Sequence, residues 1–226
     1  MTGPKGCGRE SGWGKEIHRP AASGSSLRVK CTGAILAGGR SRRLGWDKAT
    51  LLLGGKPLAH WVAEQLAPLT SVLWLVTNTP LPHVALGLPL LTDLVPDQGP
   101  LGGLRTALFF SRTSWVLAVS VDNTFLPEEL LIALTEQATK TTRPAVLYRS
   151  DQGLEPFPGL YHVRLLQRLG DYLQNRRHVR PFLETLRPRE IPLPMTTPFF
   201  NINTPEDLRQ AEKWLTQSRG PSAIYP

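Results

Sequence analysis

The sequence predicts one α/β domain with three layers, α/β/α, in which helices cover both faces of a mostly parallel sheet. Short apolar runs alternate with longer helical patterns from about Val29 to about Leu215, which is typical of parallel strands joined by helices. The chain has 226 residues, enough for one sizeable core, and it shows no internal repeat. Both observations favour a single domain.

The strand predictions rest on apolar runs that stop at glycine, asparagine, aspartate or proline. The first run ends at Gly38 and Gly39, and a later one ends at Asn78, shortly before Pro80. The predicted strands cover residues 34–37, 51–53, 72–76, 88–91, 115–121 and 145–148.

The helix predictions rest on proline and capping residues, because proline lacks the N–H group that a first helical turn leaves unpaired. Pro57, Pro100 and Pro127 stand at the beginning of helical patterns, and Thr204 is a good N-cap followed by acidic residues. The predicted helices cover residues 57–66, 100–110 and 127–134, two segments between 164 and 186, and a segment after Thr204.

The two ends of the chain are predicted to lie outside the domain. Residues 1–28 are rich in glycine, serine and charged residues and have no hydrophobic period, which predicts a flexible extension. This extension lacks the apolar stretch of a secretory signal. We therefore predict one domain over residues 29–218 and a short tail over residues 219–226.

Composition and charge restrict the function classes. The net charge is +8, but residues 1–30 hold six basic and two acidic residues, so half of the excess lies before the predicted sheet. This distribution does not favour nucleic acid as a partner. The apolar runs are too short to span a bilayer. Cys7 and Cys31 have neither disulfide-framework nor zinc spacing, so we expect a reducing, cytoplasmic environment.

The segment after the first predicted strand has the composition of a polyphosphate-binding loop. Gly38 and Gly39 allow a sharp turn and a close approach to a ligand, and Arg40, Arg43 and Lys48 follow. Backbone N–H groups would hold phosphate oxygens while the cations neutralise them. The segment is neither a P-loop nor a dinucleotide-binding loop. By itself it is better explained as a strand and turn with solvated arginines, because glycine doublets are common.

Polar residues follow three later strands, where ligands of parallel sheets bind. Asp122 is placed to bind Mg²⁺ beside substrate phosphates, or simply to cap a turn. Asn78 suits a base edge or a ribose hydroxyl, or it only ends its strand. Asp93, taken alone, fits an ordinary turn carboxylate. If the strands are neighbours, all three converge with Gly38 on one cleft.

Four ordered stretches carry a resemblance to a known family. The first is L-A-G-G-x-S-x-R-L-G-x-D-K over residues 36–48, and the others cover residues 99–104, 119–127 and 200–208. Together they resemble the molybdenum cofactor guanylyltransferases, members of a superfamily that includes the sugar-nucleotide pyrophosphorylases. The resemblance implies a Rossmann-like nucleotidyltransferase fold of the nucleotide-diphospho-sugar transferase type. It also implies transfer of GMP from GTP to the terminal phosphate of Mo-molybdopterin, with release of pyrophosphate.

The resemblance also implies the site residues and the cofactor Mg²⁺. Catalytic roles fall on Arg43, Lys48 and Asp122, with Asp122 as the metal ligand. GTP contacts are expected at Leu36, Ala37, Gly38, Gly39, Lys48, Asn78, Asp93, Gly102 and Asp122. Acceptor contacts are expected at Asn201 and Asn203. The family usually has Cys-Asp-x-Pro where this chain has Val121-Asp122-Asn123-Thr124, so the aspartate is kept and the proline is replaced.

The sequence is also compatible with other functions. The chain could transfer another nucleotide, for example CMP to the same pterin, or could use a sugar phosphate as acceptor. It could also be a GTP-binding accessory protein without turnover, although retention of Lys48 and Asp122 argues against that. Beyond GTP and Mo-molybdopterin, molybdoenzymes or cofactor-handover proteins are candidate partners. The five histidines show no metal spacing, and we predict none to be catalytic.

Overall fold

The structure is a computed structural model that describes residues 31–38, 47–194 and 199–217. The predicted N-terminal extension and C-terminal tail lie outside these residues. Gly39 and Arg43, two of the predicted site residues, also lie outside them. No helix in the described ranges is long and apolar enough to cross a membrane.

A seven-stranded sheet forms the centre of the protein. Its strands are β1 (Cys31–Leu36), β4 (Thr70–Thr77), β5 (Leu90–Thr92), β6 (Trp115–Ser120), β7 (Ala145–Ser150), β8 (Gly153–His162) and β9 (Arg189–Pro192). They lie in the order β5-β4-β1-β6-β8-β7-β9. All neighbouring pairs are parallel except those that β8 makes with β6 and with β7, so β8 alone runs against the others. A small separate hairpin pairs β2 (Leu52–Leu53) with β3 (Lys56–Pro57).

The helices divide into two layers. They are α1 (Leu58–Leu66), α2 (Gly99–Phe110), α3 (Glu128–Gln137), α4 (Leu166–Asn175), α5 (Val179–Leu186) and α6 (Pro205–Gln217). Side chains of α1, α3 and α6 pack with Ile35 in one buried cluster, while those of α2, α4 and α5 pack with Ala34 in another. Since successive strand residues point to opposite faces, each face of the sheet has its own helical layer. The predicted three-layer, mostly parallel fold is confirmed.

The strand β8 and the edge strand β9 were not predicted. Pro156 and Pro158 lie inside β8, and proline within a run argues against a central strand because it cannot donate to the ladder. The pairing register explains why β8 tolerates both prolines. Leu147 pairs with Gly159 and Tyr148 with Glu155, so residues 156–158 have no partners in β7. Both prolines lie in this bulge, outside the regular ladder.

Strand order determines which loops meet. The adjacent parallel strands β5, β4, β1 and β6 end at Thr92, Thr77, Leu36 and Ser120. The residues that follow these ends are therefore neighbours along one edge of the sheet. This edge carries Asp93, Asn78, Gly38 and Asp122.

Candidate active site

The start of the glycine loop is fixed between two neighbouring strands. The Ala37 N–H donates to the Val76 carbonyl (2.9 Å), and the Val121 N–H donates to the Leu36 carbonyl (3.1 Å). Gly38 follows at once. A Cβ atom there would lie 3.6 Å from Asp93 Oδ2 and 3.7 Å from Asn78 Nδ2. Gly38, Asn78 and Asp93, predicted from three separate strand ends, thus lie together.

Asp93 and Asn78 place a buried carboxyl and a buried amide side by side here. Asp93 is 7% exposed, and burial raises the pKa of its carboxyl to about 6, while a long hydrogen bond from Thr106 Oγ1 (3.5 Å) acts in the opposite direction. Asn78 Oδ1 is buried and accepts no hydrogen bond from any residue that the structure describes. A buried amide oxygen without a donor, beside a carboxyl that accepts one long hydrogen bond, suits the N–H groups of a base or the hydroxyls of a ribose.

Helix α2 turns one of its paired glycines towards this group. A Cβ at Gly103 would lie 3.3 Å from Leu36 Cδ2 and 3.7 Å from Asp93 Oδ1, whereas one at Gly102 would meet the Gln98 side chain at 2.7 Å. Gly102 therefore serves close packing within the first turn of α2. A nucleotide contact at Gly102 stays a prediction, and Gly103 is the glycine that adjoins Asp93.

A second group of polar residues surrounds Lys48. Lys48 Nζ donates to Asn203 Oδ1 (2.7 Å) and forms an ion pair with Asp122 Oδ1 (2.9 Å). The side chains of Lys48 and Asp122 are 13% and 30% exposed, so a ligand can reach part of the ion pair. An ammonium group has three N–H donors. Within the described part of the chain, these contacts engage two of them.

The segment before α6 is held against the loop that carries Asp122. The Ile202 N–H donates to the Asp122 carbonyl (3.2 Å), and Asn123 Nδ2 donates to Asn201 Oδ1 (2.6 Å). Of the two predicted acceptor residues, Asn203 thus contacts Lys48 directly, and Asn201 contacts Asn123, the residue after Asp122.

The start of α6 fixes the same segment from the other side. Asp207 Oδ2 accepts from the N–H groups of Asn203 (2.9 Å) and Thr204 (2.8 Å), and the Asp207 N–H donates to Thr204 Oγ1 (3.1 Å). The pKa of Asp207 is lowered: desolvation opposes the change, but these hydrogen bonds and nearby Lys48 outweigh it. This reciprocal cap restrains Asn203 at the point where it meets Lys48.

Thr124 closes the turn in which the family usually has proline. Its side chain is completely buried, and Thr124 Oγ1 donates to the Val121 carbonyl (3.3 Å). Gln65 spans the same turn, because it donates to the Thr124 carbonyl and accepts from the Leu126 N–H. The turn after β6 is therefore held by side-chain hydrogen bonds, and Asp122 stays at the strand end.

The donor set fits a divalent metal that is held mainly by its substrate. No group of three or more His, Cys, Asp or Glu side chains in the described ranges could enclose a metal ion. Mg²⁺ commonly binds through one or two carboxylates together with substrate phosphates and water. Asp122, with hard oxygen atoms and partial exposure, meets that requirement.

Comparison with known proteins identifies the family. A family profile described as the MobA-like NTP transferase domain matches residues 33–190. The chain belongs to this family. A molybdenum cofactor guanylyltransferase from Rhizobium meliloti is 35% identical over 197 residues, which cover 80% of this chain and 90% of that protein.

Solved structures agree with this assignment. Molybdopterin-guanine dinucleotide biosynthesis protein A from Archaeoglobus fulgidus superposes with a TM-score of 0.71 at 28% identity, covering 83% of this chain and all of that one. CMP:2-keto-3-deoxy-manno-octonic acid synthetase, solved with CTP, has a TM-score of 0.67 at 16% identity, covering 83% and 99%, and it shows likeness of fold alone. The predicted family and the nucleotidyltransferase fold are confirmed.

Proposed function

We propose that this MobA-like protein transfers GMP from GTP to the terminal phosphate of Mo-molybdopterin and releases pyrophosphate. The observation that carries the proposal is the similarity to curated molybdenum cofactor guanylyltransferases, at 32% to 35% identity over 80% to 86% of the chain. The contacts that Lys48 makes with Asp122 and Asn203 support it, because the reaction has to bring two phosphate groups together.

The proposed chemistry needs no general base. A terminal phosphate oxygen of the pterin forms a bond to the α-phosphorus of GTP, and the bond from that phosphorus to the β-phosphate bridging oxygen breaks. Pyrophosphate leaves with the electron pair. Because the nucleophile is already anionic, alignment and charge neutralisation supply most of the catalysis.

Lys48 is the proposed phosphate contact among the described residues. Its ammonium is held by Asn203 Oδ1 and Asp122 Oδ1, so the side chain is ordered before the ligand arrives. The third N–H group is the donor that we assign to a triphosphate oxygen. A preplaced charge loses less side-chain freedom on binding than a solvated lysine does.

Asp93 and Asn78 are the proposed contacts for the base and the ribose. Asp93 Oδ2 and Asn78 Nδ2 lie next to Gly38, and Asn78 Oδ1 is buried without a hydrogen-bond partner in the described ranges. An N–H or O–H group of the ligand would supply the donor that this oxygen lacks. A buried acceptor without a donor costs about 1 to 3 kcal/mol. A ligand that lacks matching N–H or O–H groups would leave that cost in place, which gives the site selectivity.

We propose Mg²⁺ as the metal and Asp122 as its protein ligand. When bound, the ion would neutralise charge on the transferring phosphate groups. Lys48, adjacent to the same carboxylate, would orient those phosphates from the protein side. Arg43 and Gly39 remain proposed phosphate contacts on sequence grounds, since they lie outside the described residues.

The test is a product assay. The protein is incubated with Mg²⁺, Mo-molybdopterin and each nucleoside triphosphate in turn, and pyrophosphate and dinucleotide product are measured. We expect turnover with GTP and formation of the guanine dinucleotide. Turnover with CTP instead, or only with a sugar phosphate as acceptor, would replace the proposal with a related transferase. GTP binding without pyrophosphate release would indicate an accessory protein.

Changing Asp122 to Asn tests the metal assignment. The change keeps the size of the side chain but removes the charge, so at low Mg²⁺ we expect transfer to fall at least about tenfold and to recover partly as Mg²⁺ is raised. The melting temperature should move little, since a partly exposed ion pair contributes about 0 to 1 kcal/mol. Asp151→Asn, at an exposed residue in the turn between β7 and β8, is the matched control. If Asp122→Asn had the same Mg²⁺ dependence as the wild type, Asp122 would not be the metal ligand.

A further inference from the structure

His83 is a buried histidine to which the reaction above assigns no task. It lies in the short 3₁₀ turn Leu81–Leu86, its side chain is 0% exposed, and its Nε2 atom is 2.8 Å from Asp47 Oδ2. Because a carboxylate can only accept, Nε2 is the donor. Nδ1 is buried and has no hydrogen-bond partner in the described ranges, so the ring has a single polar attachment there, and that attachment is Asp47.

Asp47 uses both carboxylate oxygens. Oδ1 accepts from the Ala49 N–H (2.9 Å) and so caps the 3₁₀ turn Lys48–Thr50, while Oδ2 accepts from His83. The Asp47 carbonyl also accepts from Thr50 Oγ1 (3.1 Å), which closes the turn further. One side chain therefore both shapes the turn and ties it to the loop after β4.

Lys48 is the first residue of that turn. Its backbone lies between the capping residue Asp47 and Ala49, which is 1% exposed. At the far end of the side chain, Nζ is held by Asn203 and Asp122. The backbone anchor and the terminal contacts together restrict where the ammonium can lie.

His83 also connects the two groups of polar residues in the candidate site, one around Asn78 and the other around Lys48. The turn that carries His83 begins three residues after Asn78, and the His83 N–H donates to the Pro80 carbonyl (2.9 Å). The backbone of His83 thus belongs to the segment that follows Asn78. Its side chain contacts Asp47, which caps the turn that carries Lys48.

We propose that His83 and Asp47 form a positioning pair that presets Lys48 for the triphosphate. Neither residue is a catalytic residue in this proposal, since both act through Lys48. The proposal rests on the proposed function, in which Lys48 binds the phosphates of GTP. It goes beyond that function by assigning a task to a buried histidine outside the phosphate loop.

The test is a double-mutant cycle read out by calorimetric titration with GTP and Mg²⁺. His83→Leu removes the donor and replaces the ring with an apolar side chain of similar size. We expect it to weaken GTP binding about fivefold when Lys48 is present and by less than about twofold in the Lys48→Ala background. His83→Gln retains an N–H donor and should restore most of the affinity, which a loss of packing alone would not allow.

Asp47→Ser removes the same contact by changing Asp47, the more exposed of the two partners. Serine keeps the N-cap but is too short to reach His83, and Asp47 is 30% exposed, so the fold should tolerate the change. We expect the same loss of affinity as for His83→Leu, and again only when Lys48 is present. This variant keeps the test decisive even if His83→Leu fails to fold.

Two results distinguish the inference from the proposed function. If the wild-type protein binds GTP but either variant weakens binding equally with and without Lys48, the positioning pair is wrong and the contact is only structural. If the wild-type protein binds no GTP, the proposed function fails first. Equal affinities of wild type, His83→Leu and Asp47→Ser would also overturn the inference.

Discussion

Lys48 connects residues that are far apart in sequence. It contacts Asn203, 155 positions away, and Asp122 at the end of β6. Changing Lys48 to Ala should weaken GTP binding and slow transfer at least about tenfold, because a lost charge-assisted contact costs about 1.5 to 3 kcal/mol. Calorimetric titration and pyrophosphate release measure the two effects.

Lys140→Ala is the matched control for Lys48. Lys140 is exposed after α3, and its loss changes the net charge by the same amount. It should affect neither binding nor transfer. Equal small effects from both variants would show that bulk charge, and not the placed ammonium, attracts the triphosphate.

Asp93 gives a pH dependence of stability. Burial raises the pKa of Asp93 from 3.8 to about 6, so between these values the folded protein keeps a proton that the unfolded chain has lost. Stability should therefore fall as pH rises through this window and stay lower above it. The full difference corresponds to at most about 3 kcal/mol.

Replacing Asp93 with Asn should flatten that part of the stability profile. Urea unfolding of wild type and variant at pH values from 4 to 7 measures the difference. Asp151→Asn, at an exposed turn residue, should keep the wild-type slope. If Asp93→Asn also keeps the wild-type slope, the Asp93 carboxyl ionises as easily in the folded protein as in the unfolded chain.

The sequence indicates some residues of the candidate site and not others, for a physical reason. Asn78, Asp93 and Asp122 each lie within two residues of an apolar run, so the local sequence places them at strand ends, and the resemblance implies the ligand role of Asp93. Thr106 lies inside α2 and meets Asp93 only because α2 packs over the end of β5. Asn123 meets Asn201 across 78 positions, and nothing near either residue indicates that pairing.

At the scale of elements, the helix starts could be read from single residues while the central strand β8 could not. Proline and Thr204 mark helix starts through local backbone chemistry, which neighbours hardly change. The strand β8 depends on partners on both sides, and its bulge removes two prolines from the ladder. Its composition suggests a loop, and only the sheet makes it a strand.

Two glycine substitutions should have opposite effects on stability. A Cβ at Gly159, within β8, would lie 2.7 Å from the Pro156 carbonyl oxygen and 2.8 Å from Leu147 Cδ2. Gly159→Ala should therefore destabilise the protein by about 1 to 3 kcal/mol. A Cβ at Gly170, inside α4, would be 3.5 Å from Arg105 Nε, an ordinary contact. Gly170→Ala should stabilise by about 0.5 to 1 kcal/mol.

Urea unfolding of the two glycine variants at constant pH measures both changes. The same chemical change is made at both sites, so each variant controls for the other. A destabilisation of similar size at both positions would mean that α4 is no more tolerant of the added methyl group than the crowded strand.

At the scale of the molecule, the strand order brings the site together. The sequence indicated strands that alternate with helices, and the resemblance implied the fold. The order β5-β4-β1-β6 depends on packing across the whole sheet. That order makes the ends of four strands neighbours, which neither composition nor periodicity can indicate. The strand order thus determines which strand ends meet at the candidate site, and the local sequence determines which side chains they carry.

The segment before the predicted domain should be dispensable for folding and for transfer. Residues 1–27 lack a hydrophobic period and cannot bury much apolar surface, so their removal should leave stability and GMP transfer unchanged. We expect the melting temperature to stay within about 2 °C, since a loss of 1 kcal/mol shifts it by about 2 to 4 °C in a domain of this size. Thermal unfolding and pyrophosphate release of full-length and truncated protein are the measurements. A larger drop in either would show that the segment packs on the domain or reaches the substrate, and the predicted boundary near residue 28 would then be wrong.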